Sequence, residues 1–264
     1  LSRPEPLRFA SGAGEWAHAF FYPPRNAAHS GLAGEQPPLL VFLHGGPTSA
    51  CYPLFDPRIQ FWTQRGFAVA DLNYRGSSGF GRAYRQRLHG QWGLVDVEDA
   101  YALLRHLGES GRVDPARAFI RGASAGGYTA LCTLAGGAGF RGGASLYGVS
   151  DPLALRRVTH KFEADYLDWL IGDPEREPER YRARTPLYHA GRIQAPLIFF
   201  QGGLDTVVPP AQTESMVAAL RAQHVPVEYR LYPEERHGFR QAAHLADALE
   251  REWRFYRRLL APAG

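Results

Sequence analysis

Short, mostly apolar runs recur along the chain, each too short to be a helix, and they constrain the fold more than any other feature. Leu39-Leu40-Val41-Phe42-Leu43 is a continuous apolar stretch, the pattern of a strand covered on both faces. Residues 66–70, 118–120, 144–147 and 197–200 are similar. Helical patterns lie between them. Residues 96–109 place Val97, Ala100, Leu103, Leu104 and Leu107 on one stripe, and residues 128–134, 211–223 and 242–260 also read as helices. Buried strands alternating with helices call for an α/β fold with a mostly parallel central sheet and helices on both faces. Residues 7–10 and 15–22 read as a leading hairpin around Ser11-Gly12-Ala13-Gly14. Residues 152–172 break the rhythm and are expected to form one or two helices over one end of the sheet. The 264 residues suffice for one large core, and 29 glycines with 20 prolines supply the turns.

Charge and cysteine usage exclude several classes. The net charge is +4, yet no run of five or six like charges appears. Arg156-Arg157 with Lys161, and the sign-alternating residues 175–184, read as solvated faces, so no nucleic-acid partner is expected. No apolar run reaches the roughly 18 residues of a membrane span, and the N-terminus lacks a signal-peptide layout, so no membrane partner is expected. Cys51 and Cys132 have no metal-type spacing; two buried free thiols fit a reducing cytoplasm. Lys161 is the single lysine, a bias that GC-rich coding or heat adaptation would each produce. The only methionine is Met216, so the chain is expected to be part of something longer.

The chemistry centres on Gly122-Ala123-Ser124-Ala125-Gly126-Gly127, set between a strand and a helix. A G-x-S-x-G sequence there makes a sharp turn that lifts the serine hydroxyl to the carboxyl edge of the sheet. A nucleophilic serine needs a base and an orienting acid, which in such sheets follow in the order serine, acid, histidine. Asp205 follows the strand 197–200, and His237 follows the strand 227–232, with Gly238 freeing the backbone beside it. Asp151 is the alternative acid and His244 the alternative base, the latter in a helical setting that suits a surface residue. The oxyanion needs backbone donors. The N–H of Ala125 is one; the second is expected from His44-Gly45-Gly46-Pro47, with His44 organising that loop.

Six ordered motifs then carry a resemblance. They are His44-Gly45-Gly46-Pro47-Thr48, Asn73-Tyr74-Arg75-Gly76-Ser77-Ser78-Gly79-Phe80-Gly81, Trp92-Gly93-x-x-Asp96-x-x-Asp99, Gly122-Ala123-Ser124-Ala125-Gly126-Gly127-Tyr128, Asp205-x-x-Val208-Pro209 and His237-Gly238-Phe239. Together they resemble the catalytic domain of the prolyl oligopeptidase family, most closely its acylaminoacyl-peptidase and aminopeptidase branch. The resemblance implies that residues 1–264 form one α/β-hydrolase catalytic domain with Ser124, Asp205 and His237 as triad. It implies oxyanion donors at Gly46 and Ala125, and no metal or organic cofactor. By the same match, residues 75–81 form a rigid loop beside the site rather than a phosphate cradle. Tyr147, Phe162, Tyr166 and Leu167 are candidates for lining the substrate pocket. The expected activity is hydrolysis of amide bonds near the N-terminus of short peptides, with a carboxylesterase acting on small acyl esters as the alternative. Family members usually carry an upstream β-propeller, and nothing in these residues reads as blades, so the chain is expected to be the catalytic part of a longer peptidase. Homo-oligomer formation stays open.

Overall fold

In a computed structural model, residues 1–137, 139–159 and 161–261 are described, and the side chains of residues 161–164 lie outside that description. The apolar runs become strands of one eight-stranded sheet. In chain order these are β1 (Glu5–Ala10), β2 (Trp16–Tyr22), β3 (Pro38–Leu43), β4 (Ala68–Asn73), β5 (Asp114–Ala123), β6 (Gly142–Leu146), β7 (Leu197–Gly202) and β8 (Val227–Tyr232). Their spatial order is β1-β2-β4-β3-β5-β6-β7-β8. The hairpin β1–β2 is antiparallel and pairs antiparallel to β4; every pairing from β4 to β8 is parallel. Parallel pairing puts the loops after β3, β5, β7 and β8 at one edge, the carboxyl edge, and the chemistry-bearing loops are these four.

The helices are α1 (Pro57–Thr63), α2 (Arg82–Gln86), α3 (Val95–Glu109), α4 (Ala125–Gly136), α5 (Pro152–Val158), α6 (Lys161–Leu170), α7 (Pro178–Ala183), α8 (Pro210–Ala222) and α9 (Ala242–Leu260). They cover both faces. Successive strand residues alternate sides. Leu39, Val41 and Leu43 therefore meet α3, α4 and α8 residues such as Leu103, Leu131 and Met216, while Leu40 and Phe42 share the opposite cluster with Trp62 of α1 and Tyr256 of α9. Both residue sets are buried, which is why the strands read as continuous apolar runs.

Three expectations shift. The strand expected over 66–70 begins at Ala68, because Gly66 turns the chain at φ +87° behind α1. Helix α1 itself was not expected: seven residues are too few to show a period, although Asp56 caps the Arg58 N–H and Pro57 opens the first turn. The stretch 175–184 is only partly a solvated face. Arg180 pairs with Glu177 and Arg182 with Glu179 at the surface, but Tyr181 and Arg184 are buried. Arg156 likewise binds Asp168 through two hydrogen bonds of 2.6 and 2.8 Å, joining α5 to α6. Among the described residues no helix is long and apolar enough to cross a membrane. Cys51 and Cys132 are free thiols, as expected, but each is half-buried rather than buried.

One buried ion pair clamps α9 to the strand that leads into the serine turn. Arg121 of β5 donates to Glu252 of α9 at 2.9 Å, both almost fully buried, with the guanidinium 4.5 Å from the Phe42 ring centroid. Removing one partner strands the other charge in an apolar layer, which costs about 3–5 kcal/mol, whereas an apolar pair of similar volume is close to neutral. Glu252→Ala should lower the urea-unfolding free energy by about that amount, and Arg121→Met with Glu252→Leu should recover most of it.

Candidate active site

Strand β5 ends at Ala123 and α4 begins at Ala125, so Ser124 alone makes the turn. It does so at φ 55°, ψ −120°, a conformation that non-glycine residues rarely adopt. The surrounding glycines allow it. A Cβ at Gly126 would stand 2.2 Å from the Leu43 carbonyl oxygen, and one at Gly122 would stand 2.1 Å from the Gly126 carbonyl oxygen. Backbone thus touches backbone on both sides of the turn, and the Ser124 N–H is tied to the Leu146 carbonyl at 2.9 Å.

The sequence-expected partners converge on this turn. His237 Nε2 lies 2.9 Å from Ser124 Oγ, and His237 Nδ1 lies 2.8 Å from Asp205 Oδ2. Asp205 is 4% exposed, and its other oxygen accepts the N–H groups of Val207 and Val208 at 2.9 and 2.8 Å. With Oδ1 held by the backbone, Oδ2 is presented to the imidazole, so His237 Nδ1 carries the proton and Nε2 faces the hydroxyl as an acceptor. Both alternatives are engaged elsewhere. Asp151 caps α5 by accepting the Ala154 N–H, and His244 binds Glu235 at 2.9 Å.

The loop after β3 lies against the serine. A Cβ at Gly45 would meet Ser124 Cβ at 3.5 Å, which places the Gly45–Gly46 backbone beside the nucleophilic turn. Ala125 opens α4, where the first N–H groups have no acceptor within the helix. The backbone of two loops thus lies beside the serine. His44 is turned away from Ser124: its Nδ1 bonds the Gly45 carbonyl and its Nε2 bonds Ser77 Oγ, each at 2.7 Å. Burial drives its pKa down to about 4 against the opposing pull of the Gly45 carbonyl.

The pocket candidates separate. Tyr147 stands edge-on to the His237 ring with centroids 4.9 Å apart, and edge-on to Phe239 at 5.2 Å. The Tyr166 hydroxyl bonds Thr48 Oγ1 at 2.6 Å, bringing α6 to the carboxyl-edge loop after β3. Leu167 is 5% exposed and packs with Leu170 and Ile171 in the core, so it presents almost no surface to a ligand. The Phe162 side chain lies outside the described residues.

Sequence reasoning missed the residues that hold the triad loops. Gln201 donates to the Val208 carbonyl at 3.1 Å and accepts the Thr213 hydroxyl at 2.7 Å, fixing the Asp205 loop. Glu235 accepts the N–H groups of Arg240 and Gln241 at 3.0 and 2.9 Å, bracketing His237. Burial opposes its charge, but these donors and the His244 ring outweigh that and hold its carboxyl below the usual value. The only sequence signal was proximity: each lies within four residues of a triad member. Among the described residues no group of three or more His, Cys, Asp or Glu is arranged to hold a metal ion.

A mostly parallel eight-stranded sheet, with a serine on a strand–helix turn and an acid and a histidine on later loops of the same edge, defines the α/β-hydrolase fold. The family profile of the prolyl oligopeptidase family matches residues 53–263, and the chain belongs to that family. It is 33% identical over 213 residues to dipeptidyl peptidase family member 6 of Caenorhabditis elegans, covering 77% of this chain and 28% of that protein. It is 30% identical over 242 residues to dipeptidyl aminopeptidase BIII of Pseudoxanthomonas mexicana, covering 89% and 35%. The solved structure of a Mycobacterium tuberculosis puromycin-hydrolyzing peptidase superposes with a TM-score of 0.96 at 43% identity, covering 100% of this chain and 40% of that one. The chain thus spans about a third of the length of these two curated relatives.

The depressed His44 pKa has a thermodynamic consequence. Between its folded value of about 4 and its ordinary value of 6.5, the unfolded chain binds more protons than the folded one. Stability should therefore rise with pH across that window and be lost as pH falls through it. In urea titrations at pH 4.5, 5.5 and 6.5, roughly spanning that interval, His44→Gln should show a flatter pH dependence than the unsubstituted chain.

Proposed function

We propose that the chain is the catalytic domain of a serine peptidase that cuts amide bonds near the N-terminus of short peptides. The observation that carries the reading is the unbroken hydrogen-bonded line from Asp205 through His237 to Ser124. In this reading His237 Nε2 takes the Ser124 proton as Oγ attacks the scissile carbonyl carbon. The Gly46 and Ala125 N–H groups hold the resulting oxyanion. As the C–N bond breaks, imidazolium returns the proton to the leaving amine, and Asp205 steadies the charged ring throughout. Water then attacks the acyl-enzyme by the same route in reverse, releasing the acid and restoring Ser124.

The substrate class is argued from the relatives. One is named a dipeptidyl peptidase family member, one a dipeptidyl aminopeptidase and one a puromycin-hydrolyzing peptidase, and puromycin is an aminoacyl amide with a free amino group. An aminoacyl or short N-terminal peptidyl amide is the chemistry they share. Tyr147, flanking His237, and Tyr166, bound to Thr48, are the side chains we assign to the pocket for the residue before the cut. The free thiols Cys51 and Cys132 support a reducing, cytoplasmic setting.

Ser124→Ala should abolish covalent labelling by a fluorophosphonate, and persistent labelling would remove Ser124 from its role. Asp205→Asn should keep the fold but leave the wrong imidazole tautomer facing Ser124, lowering kcat by about 10⁴-fold. Turnover of aminoacyl anilides beside p-nitrophenyl esters separates the substrate classes. Hydrolysis of both supports the peptidase, and hydrolysis of esters alone would favour a carboxylesterase.

A further inference from the structure

Ser77 is fully buried, and its hydroxyl is spent on one contact, His44 Nε2 at 2.7 Å. The other ring nitrogen, Nδ1, lies 2.7 Å from the Gly45 carbonyl oxygen. A carbonyl only accepts, and the Tyr74 hydroxyl 3.2 Å from Nδ1 gives its proton to the Pro47 carbonyl, so Nδ1 carries the proton. A neutral imidazole then has its lone pair on Nε2, and Ser77 donates into it. The Tyr74 ring is stacked 4.3 Å from the imidazole, and its hydroxyl donates to the Pro47 carbonyl at 2.9 Å, holding the ring against the loop. Ser77 is placed from behind. Its N–H bonds the Tyr74 carbonyl at 2.9 Å, and Arg75, two residues earlier, is locked by Asp99 through its own N–H at 2.6 Å and its Nε at 2.9 Å.

The Gly45 carbonyl and the Gly46 N–H are the two ends of one planar peptide unit. The unit is trans, so they point in opposite directions, and whatever holds the carbonyl aims the N–H. Glycine stands on both sides of this plane, with Gly46 at φ +120°, so no Cβ resists its rotation. A plane so free to turn needs an external hold, and the imidazole supplies one.

We propose that Ser77 and His44 are positioning residues that aim the Gly46 N–H at the oxyanion. The Gly45 carbonyl fixes the His44 proton on Nδ1, and the Ser77 hydroxyl, donating to Nε2, holds the ring in the place from which Nδ1–H clamps that carbonyl. This rests on the assignment of the Gly46 N–H as an oxyanion donor. Losing such a donor outright costs about 10²–10³ in turnover, and misaiming it costs a part of that.

In Ser77→Ala the buried Nε2 lone pair loses its donor, so the ring is no longer held in place, its Nδ1–H grip on the Gly45 oxygen loosens, and the peptide plane is free to turn away. With an aminoacyl p-nitroanilide, kcat should fall about tenfold while KM changes less than about twofold, and the affinity for a peptide boronate, which forms a tetrahedral adduct on serine, should fall with kcat. Ser77→Thr, which keeps the hydroxyl, should restore both. Unchanged kcat and boronate affinity in Ser77→Ala would overturn the proposal. A second readout needs no active-site variant that folds poorly. In the chain labelled with ¹⁵N-histidine, the His44 ring signals, identified by their loss in His44→Gln, should show the proton on Nδ1. A proton on Nε2 would overturn the proposal by itself. Failure of the underlying site reading would appear separately, as fluorophosphonate labelling that survives Ser124→Ala, and would leave the His44 tautomer untouched.

Discussion

The backbone contact at Gly126 is the constraint on which the site depends. A methyl group there would sit 2.2 Å from the Leu43 carbonyl oxygen and 2.8 Å from that of His44, so the first turn of α4 rests directly on the end of β3. Gly127 plays the same part on the other side, where a Cβ would meet Gly148 Cα at 2.7 Å. The helix is wedged between the carboxyl ends of two strands, and its first residue follows Ser124 at once. Serine in its left-handed conformation costs about 1–3 kcal/mol, a strain offset by the burial of α4, most of whose residues are inaccessible. The same wedge brings the Gly45–Gly46 loop against the serine. Ser124 and the Gly45–Gly46 backbone are thus located by one contact that only glycine permits.

Around that contact, charge is buried only where it is answered. Asp205 has two N–H donors besides His237; Asp99 has the Arg75 guanidinium and its N–H; Arg121 has Glu252. Asp96, fully buried, accepts the Gly93 N–H and the Thr129 hydroxyl, which ties α3 to α4 below the serine turn, and burial still lifts its pKa to about 6. These carboxylates explain the motif Trp92-Gly93-x-x-Asp96-x-x-Asp99 as architecture. One aspartate braces the nucleophile helix, and the other braces the loop that carries Ser77. Neither reaches Ser124.

Much of this was legible in the chain. The stripe from Val97 to Leu107 marks α3, and the helix expected over 242–260 matches α9 to the residue, because both are long enough for a period to show. The line from Asp205 through His237 to Ser124 was legible for a topological reason. In a parallel sheet the strands end at the same edge, so a serine, an acid and a histidine each placed after a strand lie along one edge where they can meet. Seven-residue α1 was not legible, since it has fewer than two turns to display an apolar face. Leu167 could not be separated from a pocket residue, because an apolar side chain at helical spacing looks the same whether it faces a core or a substrate.

Local sequence therefore determined the strands, the longer helices, their order and the identity of the three residues in line, through apolar periodicity and strand–loop placement. Tertiary structure decided what holds them. The Ser77–His44 bond spans 33 residues, the Arg121–Glu252 pair 131, and the His237–Ser124 bond 113. Apolar burial repeats with the period of its own element and so leaves a trace in the sequence. A hydrogen bond between distant loops has no period, and it exists only once the sheet has brought its two ends to one edge.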